Sequence, residues 1–322
     1  PGAFEASLQA GKESGIRYKL ARGINERNTP EKLVEEQGTI LDHMRYLYET
    51  WHNSSNGRIR VDFNPHVIHR MTDDTLLKIH ELALEWGVGI HLHISESMEN
   101  VGPWIEKNGN RPVEHLANLG ILGPWFQLAH SVWLDDHEIE LIAESGACVV
   151  HNPVSNMAIG SGVAPIVKLN AAGATVALGT DGQCVSSGQE MIDVLKWATH
   201  LAKVANVDAM ALSSKKAIQM GCRGGAAAFG IPSEIGSLEA GKKADLILVS
   251  LDSSRLSLPS LSINSLLVDC ARSEDVDTVI VDGEILMRGK KIEFLDEDAL
   301  LKEFRDVRAA LLKRAGIKAN IS

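Results

Sequence analysis

Aromatic residues make up only 5% of the 322 residues, only four residues are cysteine, and no apolar run approaches the roughly 20 residues needed to cross a bilayer. Each scarcity removes a class of function. Cys148, Cys184, Cys222 and Cys270 stand far apart with no C-x-x-C, which argues against a disulfide framework or a thiolate zinc site and suits a cytoplasmic protein. The six Trp, three Tyr and six Phe form no stacking stripe, and 32 basic against 42 acidic residues leave a net charge of −10. Both count against a nucleic-acid partner, and the charge also against an anionic membrane surface. No basic stretch followed by a hydrophobic core opens the chain, so no secretory signal is expected. Pro1-Gly2-Ala3-Phe4-Glu5 reads instead as the middle of something.

What is present is an ordinary globular composition, 44% hydrophobic and 23% charged, long enough for one α/β barrel with an appendage. Residues 3–14 read as the tail of a helix and Ile16 to Gly23 as a strand. Thr29-Pro30-Glu31 predicts a helix start, with Thr29 as cap and Pro30 first in the helix. Arg58 to Phe63 is the next strand, ending at Asn64-Pro65. A helix from Thr72 or Asp73 to Trp86, stopped by Gly87, leads to the strand Val88 to His93. Strands over 125–129, 147–150 and 175–178 follow, separated by helical stretches near 113–119, 135–144 and 164–172. This alternation predicts a parallel sheet covered by helices. The stretch 191–229 reads as helical. From Gly236 the pattern changes to a short aliphatic strand and a hairpin over 276–287 turning at Asp282-Gly283. The expected division is a barrel over 1–235, a small β unit over 236–292 and an amphipathic helical end over 293–322.

The chemistry-bearing residues fall at the same place in each unit. His91 and His93 share one face of their strand, and Glu96 follows within a turn. Two imidazoles and a carboxylate suit a metal with a proton carrier, although H-x-H on a buried strand serves equally as a hydrogen-bonded core pair. His130, His151 and Asp181 also end apolar runs, so four strands present ligand-type residues at their carboxyl ends, where α/β barrels and open α/β sheets carry their sites.

Taken in order, the stretches 91–96, Leu128-Ala129-His130, His151-Asn152-Pro153-Val154-Ser155-Asn156, Leu178-Gly179-Thr180-Asp181-Gly182 and Gly236 to Asp245 resemble the metal-dependent amidohydrolases. The resemblance lies in the branch with guanine, 8-oxoguanine, pterin and S-adenosylhomocysteine deaminases and triazine hydrolases, and covers about Gly15 to Ile292. It implies a (β/α)8 TIM-like barrel beside a small β-sandwich. It also implies His93 as metal ligand, Glu96 as proton shuttle, His130 as a contact to the metal or its water, and Asp181 as metal ligand and water-orienting carboxylate. His91 is placed behind the ligands; His151 and Asn156 lie where relatives shape the substrate pocket. Arg22 and Trp133 are candidates to bind or stack on a heterocycle, with salt bridging and packing as their plainer alternatives.

The implied reaction is hydrolytic deamination of an amino-substituted N-heterocycle (a purine, pterin, triazine or adenosine derivative), with one Zn²⁺, or Fe²⁺ or Mn²⁺ in its place. The implied partner is the small-molecule substrate, with a homodimer as a possible assembly. Removal of chloride or an alkylamine from a triazine-like ring, or a non-catalytic barrel, are the alternatives. The family's first H-x-H has no match between Pro1 and Trp51. By that count the strand at 16–23 is the third of eight, and two barrel strands and the first half of the sandwich are expected to be absent. The chain is then expected to hold metal weakly and to turn over only if another chain completes the site.

Overall fold

The structure is a computed structural model that describes residues 2–186, 188–253, 256 and 262–317. Six parallel strands, β1 (Tyr18–Gly23), β2 (Ile59–Val67), β3 (Ile90–Ile94), β4 (Phe126–His130), β5 (Cys148–His151) and β6 (Thr175–Leu178), pair in chain order. Helices between them cover the outer face, where Ile90, Leu92, Phe126, Leu128, Val149 and Val176 join one continuous core. This is a TIM-type barrel sheet of six strands, with β1 and β6 outermost. The predicted helix stops hold: Thr72 Oγ1 caps Asp73–Trp86 by accepting from the Thr75 N–H, and Gly87 is left-handed at φ 65°. Asp135 caps Asp136–Ser145 in the same way.

One buried carboxylate fixes the strands against each other near their amino ends. Asp62 of β2, 2% exposed, pairs with Lys19 Nζ of β1 at 2.5 Å and accepts from Gln127 Nε2 of β4 at 2.7 Å. Its other oxygen accepts from the Gly89 N–H, just before β3, at 2.9 Å. A Cβ on Gly89 would stand 2.5 Å from both Asp62 Oδ2 and Gln127 Nε2, so no side chain fits there without displacing the network.

Two local expectations fail for physical reasons. The helix placed at Thr29 begins instead at Gln37, after a single 3-10 turn over Glu31–Leu33. The chain stays extended through Val34 and Glu36, which delivers the Glu35 carboxylate to Arg22. Strand β2 also runs past Pro65 to Val67, with the irregularity between Phe63 and His66 absorbing the proline. The helix Met98–Asn108 was not foreseen at all.

Beyond residue 236 lies an antiparallel sheet of β7 (Leu246–Val249), β8 (Val276–Val281), β9 (Glu284–Arg288) and β10 (Lys291–Ile292). The hairpin turns at Asp282 and Gly283, both left-handed at φ 53° and 84°, as a two-residue loop requires. A helix Glu297–Arg314 follows, matching the amphipathic end expected there. Residues 1, 187, 254–255, 257–261 and 318–322 of the expected ranges lie outside the described residues.

The small sheet is stapled to the barrel by Arg17, just before β1. Its Nε and Nη2 donate to the two oxygens of Asp245 at 2.6 and 2.8 Å, and Asp245 Oδ1 also accepts from the Asp282 N–H. Burial works against ionisation of Asp245, but the Arg17 hydrogen bond and charge outweigh it and hold the carboxyl below its ordinary 3.8. Stability from this group is therefore complete above that pH and is lost as pH falls below it toward the depressed folded value. Asp245→Asn should lower unfolding free energy at pH 7 by about 3 kcal/mol, because it leaves the buried Arg17 guanidinium with only the more distant Asp282 carboxylate, 3.9 Å away. The gap to wild type should close as denaturation is repeated at falling pH below 4; an equal gap at pH 3 would remove the ion pair from this account.

Candidate active site

Strand parity explains most of the site. On β3 the even positions Ile90, Leu92 and Ile94 are buried against the helices, so His91 and His93 face the barrel interior. His93 Nδ1–H donates to the His66 carbonyl at 3.0 Å, and the His66 ring stacks on His93 with centroids 5.0 Å apart. That bond fixes the tautomer and leaves Nε2 as a free lone pair. His91 meets His93 edge-on at 5.2 Å and hydrogen-bonds Gln127, one level lower in the barrel. Burial pushes His66 and His91 down to about 4, and burial followed by His130 pushes His93 down, so these imidazoles stay neutral at pH 7.

His130 would by parity follow Leu128 toward the helices. Its φ of 71° instead turns the chain at the end of β4 and brings the ring beside His93, centroids 5.3 Å apart. Its Nε2 lies 3.9 Å from Glu96 Oε1 and 3.8 Å from Asp181 Oδ2. Ser95, also left-handed, brings Glu96 round after β3, and its carbonyl accepts the N–H groups of Val132 and Trp133. Asp181, at φ 62°, is left-handed as well.

The stretch His151 to Asn156 supports these groups position by position. Pro153 opens the helix Pro153–Ala158 directly after β5, which folds Ser155 and Asn156 back over the sheet, both fully buried. Ser155 Oγ donates to Asp181 Oδ2 at 2.6 Å, and the Gly182 N–H donates to Oδ1 at 2.6 Å. Burial opposes ionisation of Asp181, yet these two bonds and the nearby His130 and His93 keep its carboxyl below the usual range. His130 Nδ1–H donates to Asn156 Oδ1 at 2.9 Å, which again leaves Nε2 free. His151 lies buried next to His130, its pKa pushed down to about 3 by burial and then by His130. Its Nδ1 is buried with no hydrogen-bond partner among the described residues.

The structure thus brings His93, Glu96, His130, Asp181 and Asn156 together, with His151 behind. Trp133 stands at the rim, 41% exposed, its Nε1–H on the Ser161 carbonyl at 2.7 Å. Arg22 does not join them, and its role as a substrate contact is corrected. On β1 it faces the helices rather than the interior, is 2% exposed, and is committed to Glu35, the Gly23 carbonyl and His43 Nδ1. Ser155 was given no role from sequence, and His66 only that of a reserve ligand should the chain hold zinc tightly. Ser155 was in plain view within the His151–Asn156 stretch; His66 was hidden because Pro65 was read as the end of its strand.

Two imidazole Nε2 atoms with their Nδ1–H groups tied down, plus one ionised carboxylate, form a donor set that suits zinc in kind. Among the described residues, no three His, Cys, Asp or Glu side chains close to ion-holding distance as they stand. His93, His130 and Asp181 are the candidate donors by chemistry, and Ser155 holds Asp181 Oδ2.

Residues 3–286 match the amidohydrolase family. The chain belongs to it. A 5'-deoxyadenosine deaminase from Methanobrevibacter smithii is 38% identical over 94% of this chain and 68% of its own length. A 5-methylthioadenosine/S-adenosylhomocysteine deaminase from Thermoanaerobacter pseudethanolicus is 36% identical over 91% of this chain and 67% of its length. Among solved structures, a zinc-bound adenosine deaminase from Xanthomonas campestris superposes with a TM-score of 0.90 at 28% identity, covering 96% of this chain and 69% of that one. This amidohydrolase is accordingly a hydrolase of non-peptide C–N bonds.

The supporting shell gives a direct test. Asn156→Ala should lower zinc affinity about 10- to 100-fold in a chelator competition, by releasing the His130 tautomer while leaving all three ligand side chains in place. An unchanged affinity would mean that His130 is not a ligand.

Proposed function

We propose that this amidohydrolase hydrolyses the 6-amino group of an adenosine derivative altered at its 5' position, releasing ammonia. The observation that supports the reading is the meeting of Glu96 with His130 and Asp181, at the mouth of a barrel whose relatives include 5'-deoxyadenosine and 5-methylthioadenosine/S-adenosylhomocysteine deaminases. A single zinc held by His93, His130 and Asp181, when bound, supplies the positive charge that lets water ionise near neutral pH. Asp181, kept ionised, accepts a hydrogen bond from the attacking water and orients it toward the ring carbon bearing the amine. Glu96 takes a proton from that water and delivers it to the adjacent ring nitrogen. The oxygen becomes a ring carbonyl, and the amine leaves as ammonia with the second water proton.

Beyond Glu96, a cavity of about 240 Å³ lined by Arg27, His69, Asn100, Trp104, Lys107 and Asn108 leaves room for the far end of a nucleoside. Trp133 offers an aromatic edge at the rim for the base. Among the described residues no helix is long and apolar enough to cross a membrane, and the four cysteines are unpaired, which suits a cytoplasmic setting.

Contrary to the expectation that another chain must complete the site, the protein supplied with excess zinc should release ammonia from 5'-deoxyadenosine and convert its adenine spectrum to that of a hypoxanthine. Glu96→Gln should retain zinc and lose about 10²- to 10⁴-fold in kcat. Zinc-loaded protein that leaves 5'-deoxyadenosine and 5'-methylthioadenosine intact would overturn the substrate reading, and a Glu96→Gln variant within tenfold of wild type would overturn the shuttle.

A further inference from the structure

None of the residues in the helix Glu297–Arg314 is buried, and Leu300, Phe304, Val307 and Leu311 are 48%, 63%, 61% and 53% exposed. These four recur at intervals of four, three and four, the spacing of a coiled-coil seam, and Leu301 lies beside them at 48%. A helix in a folded protein draws most of its stability from packing an apolar face, so a bare seam of this length calls for a cover.

We propose that the cover is the same helix of a second copy of this chain, running antiparallel about a two-fold axis between Arg305 and Asp306. That axis sets Phe304 level with the partner's Val307, and Leu300 level with the partner's Leu311. On the same seam Glu297 meets the partner's Arg314. A parallel pair would instead set the acidic first turn against itself and the basic last turn against itself. The helix dipole alone accounts for acid at the start and base at the end. It does not account for the apolar seam. The contact is isologous, so it closes at two copies.

Sedimentation equilibrium over a concentration series decides the matter. The wild-type chain should form a dimer whose dissociation constant rises about 30-fold or more in Phe304→Glu, as for loss of a central anchor. Glu297→Arg and Arg314→Glu should each weaken the dimer by about 5-fold at low salt, since each sets like charges opposite at both ends. The double variant should restore it. Unchanged thermal unfolding of the barrel in every variant keeps the reading specific to the surface. A chain that stays monomeric throughout, as it would if another segment or a different protein covered the seam, overturns the proposal; so does a dimer indifferent to Phe304→Glu, or a double variant as weak as the singles.

Discussion

Asp62 holds together four strands whose upper ends carry most of the chemistry. A carboxylate this deep is tolerable because each oxygen has a donor and Lys19 supplies the opposing charge. Lys19, Asp62, Gly89 and Gln127 belong to β1, β2, the approach to β3, and β4, so one ion-pair network sets their relative heights. His66 and His93 lie four residues beyond Asp62 and Gly89, and His130 three beyond Gln127. Their mutual spacing, rings about 5 Å apart, inherits its register from that network.

Above that register the site is made by departures from regular strand geometry. His66, Ser95, His130 and Asp181 are all left-handed without being glycine, at φ between 50° and 71°. Each such residue is strained by the order of 1 kcal/mol or more and persists only where its surroundings fix it. Here the fixing is visible. The Ser95 carbonyl binds two N–H groups of the next loop, and the His130 ring is held by Asn156 while Asp181 is held by Ser155 and Gly182. The helix Pro153–Ala158 therefore acts on the reacting groups without touching the reaction.

Much of this was legible from residues. Alternation along β3 placed His91 and His93 on one face, and the glycines after the helices marked their ends, because both depend on local periodicity. Arg22 was misjudged because its partner, Glu35, is brought to it by an extended detour that no propensity announces; Pro30 looked like a helix start and serves a 3-10 turn. His130 illustrates a different limit. Its identity pointed to the site, while the backbone reversal that aims it there comes from hydrogen bonds between loops distant in sequence. The chain spans about two thirds of the length of its named relatives, and all the residues matched here lie within that span.

The hydrogen bonds around the mouth also divide labour among its groups. His93 has its proton held on Nδ1 by the His66 carbonyl, His130 has its proton held by Asn156, and both oxygens of Asp181 are taken by donors. Glu96 accepts no hydrogen bond among the described residues, stands 23% exposed, and reaches His130 only across 3.9 Å. A group with no partner to leave can swing at little enthalpic penalty, whereas each of its neighbours would have to break a bond first. In the proposed reaction, proton traffic falls to one side chain with rotational freedom, set in a frame of residues whose hydrogen bonds are already made. The frame is rigid where charge must be placed and loose only where charge must travel.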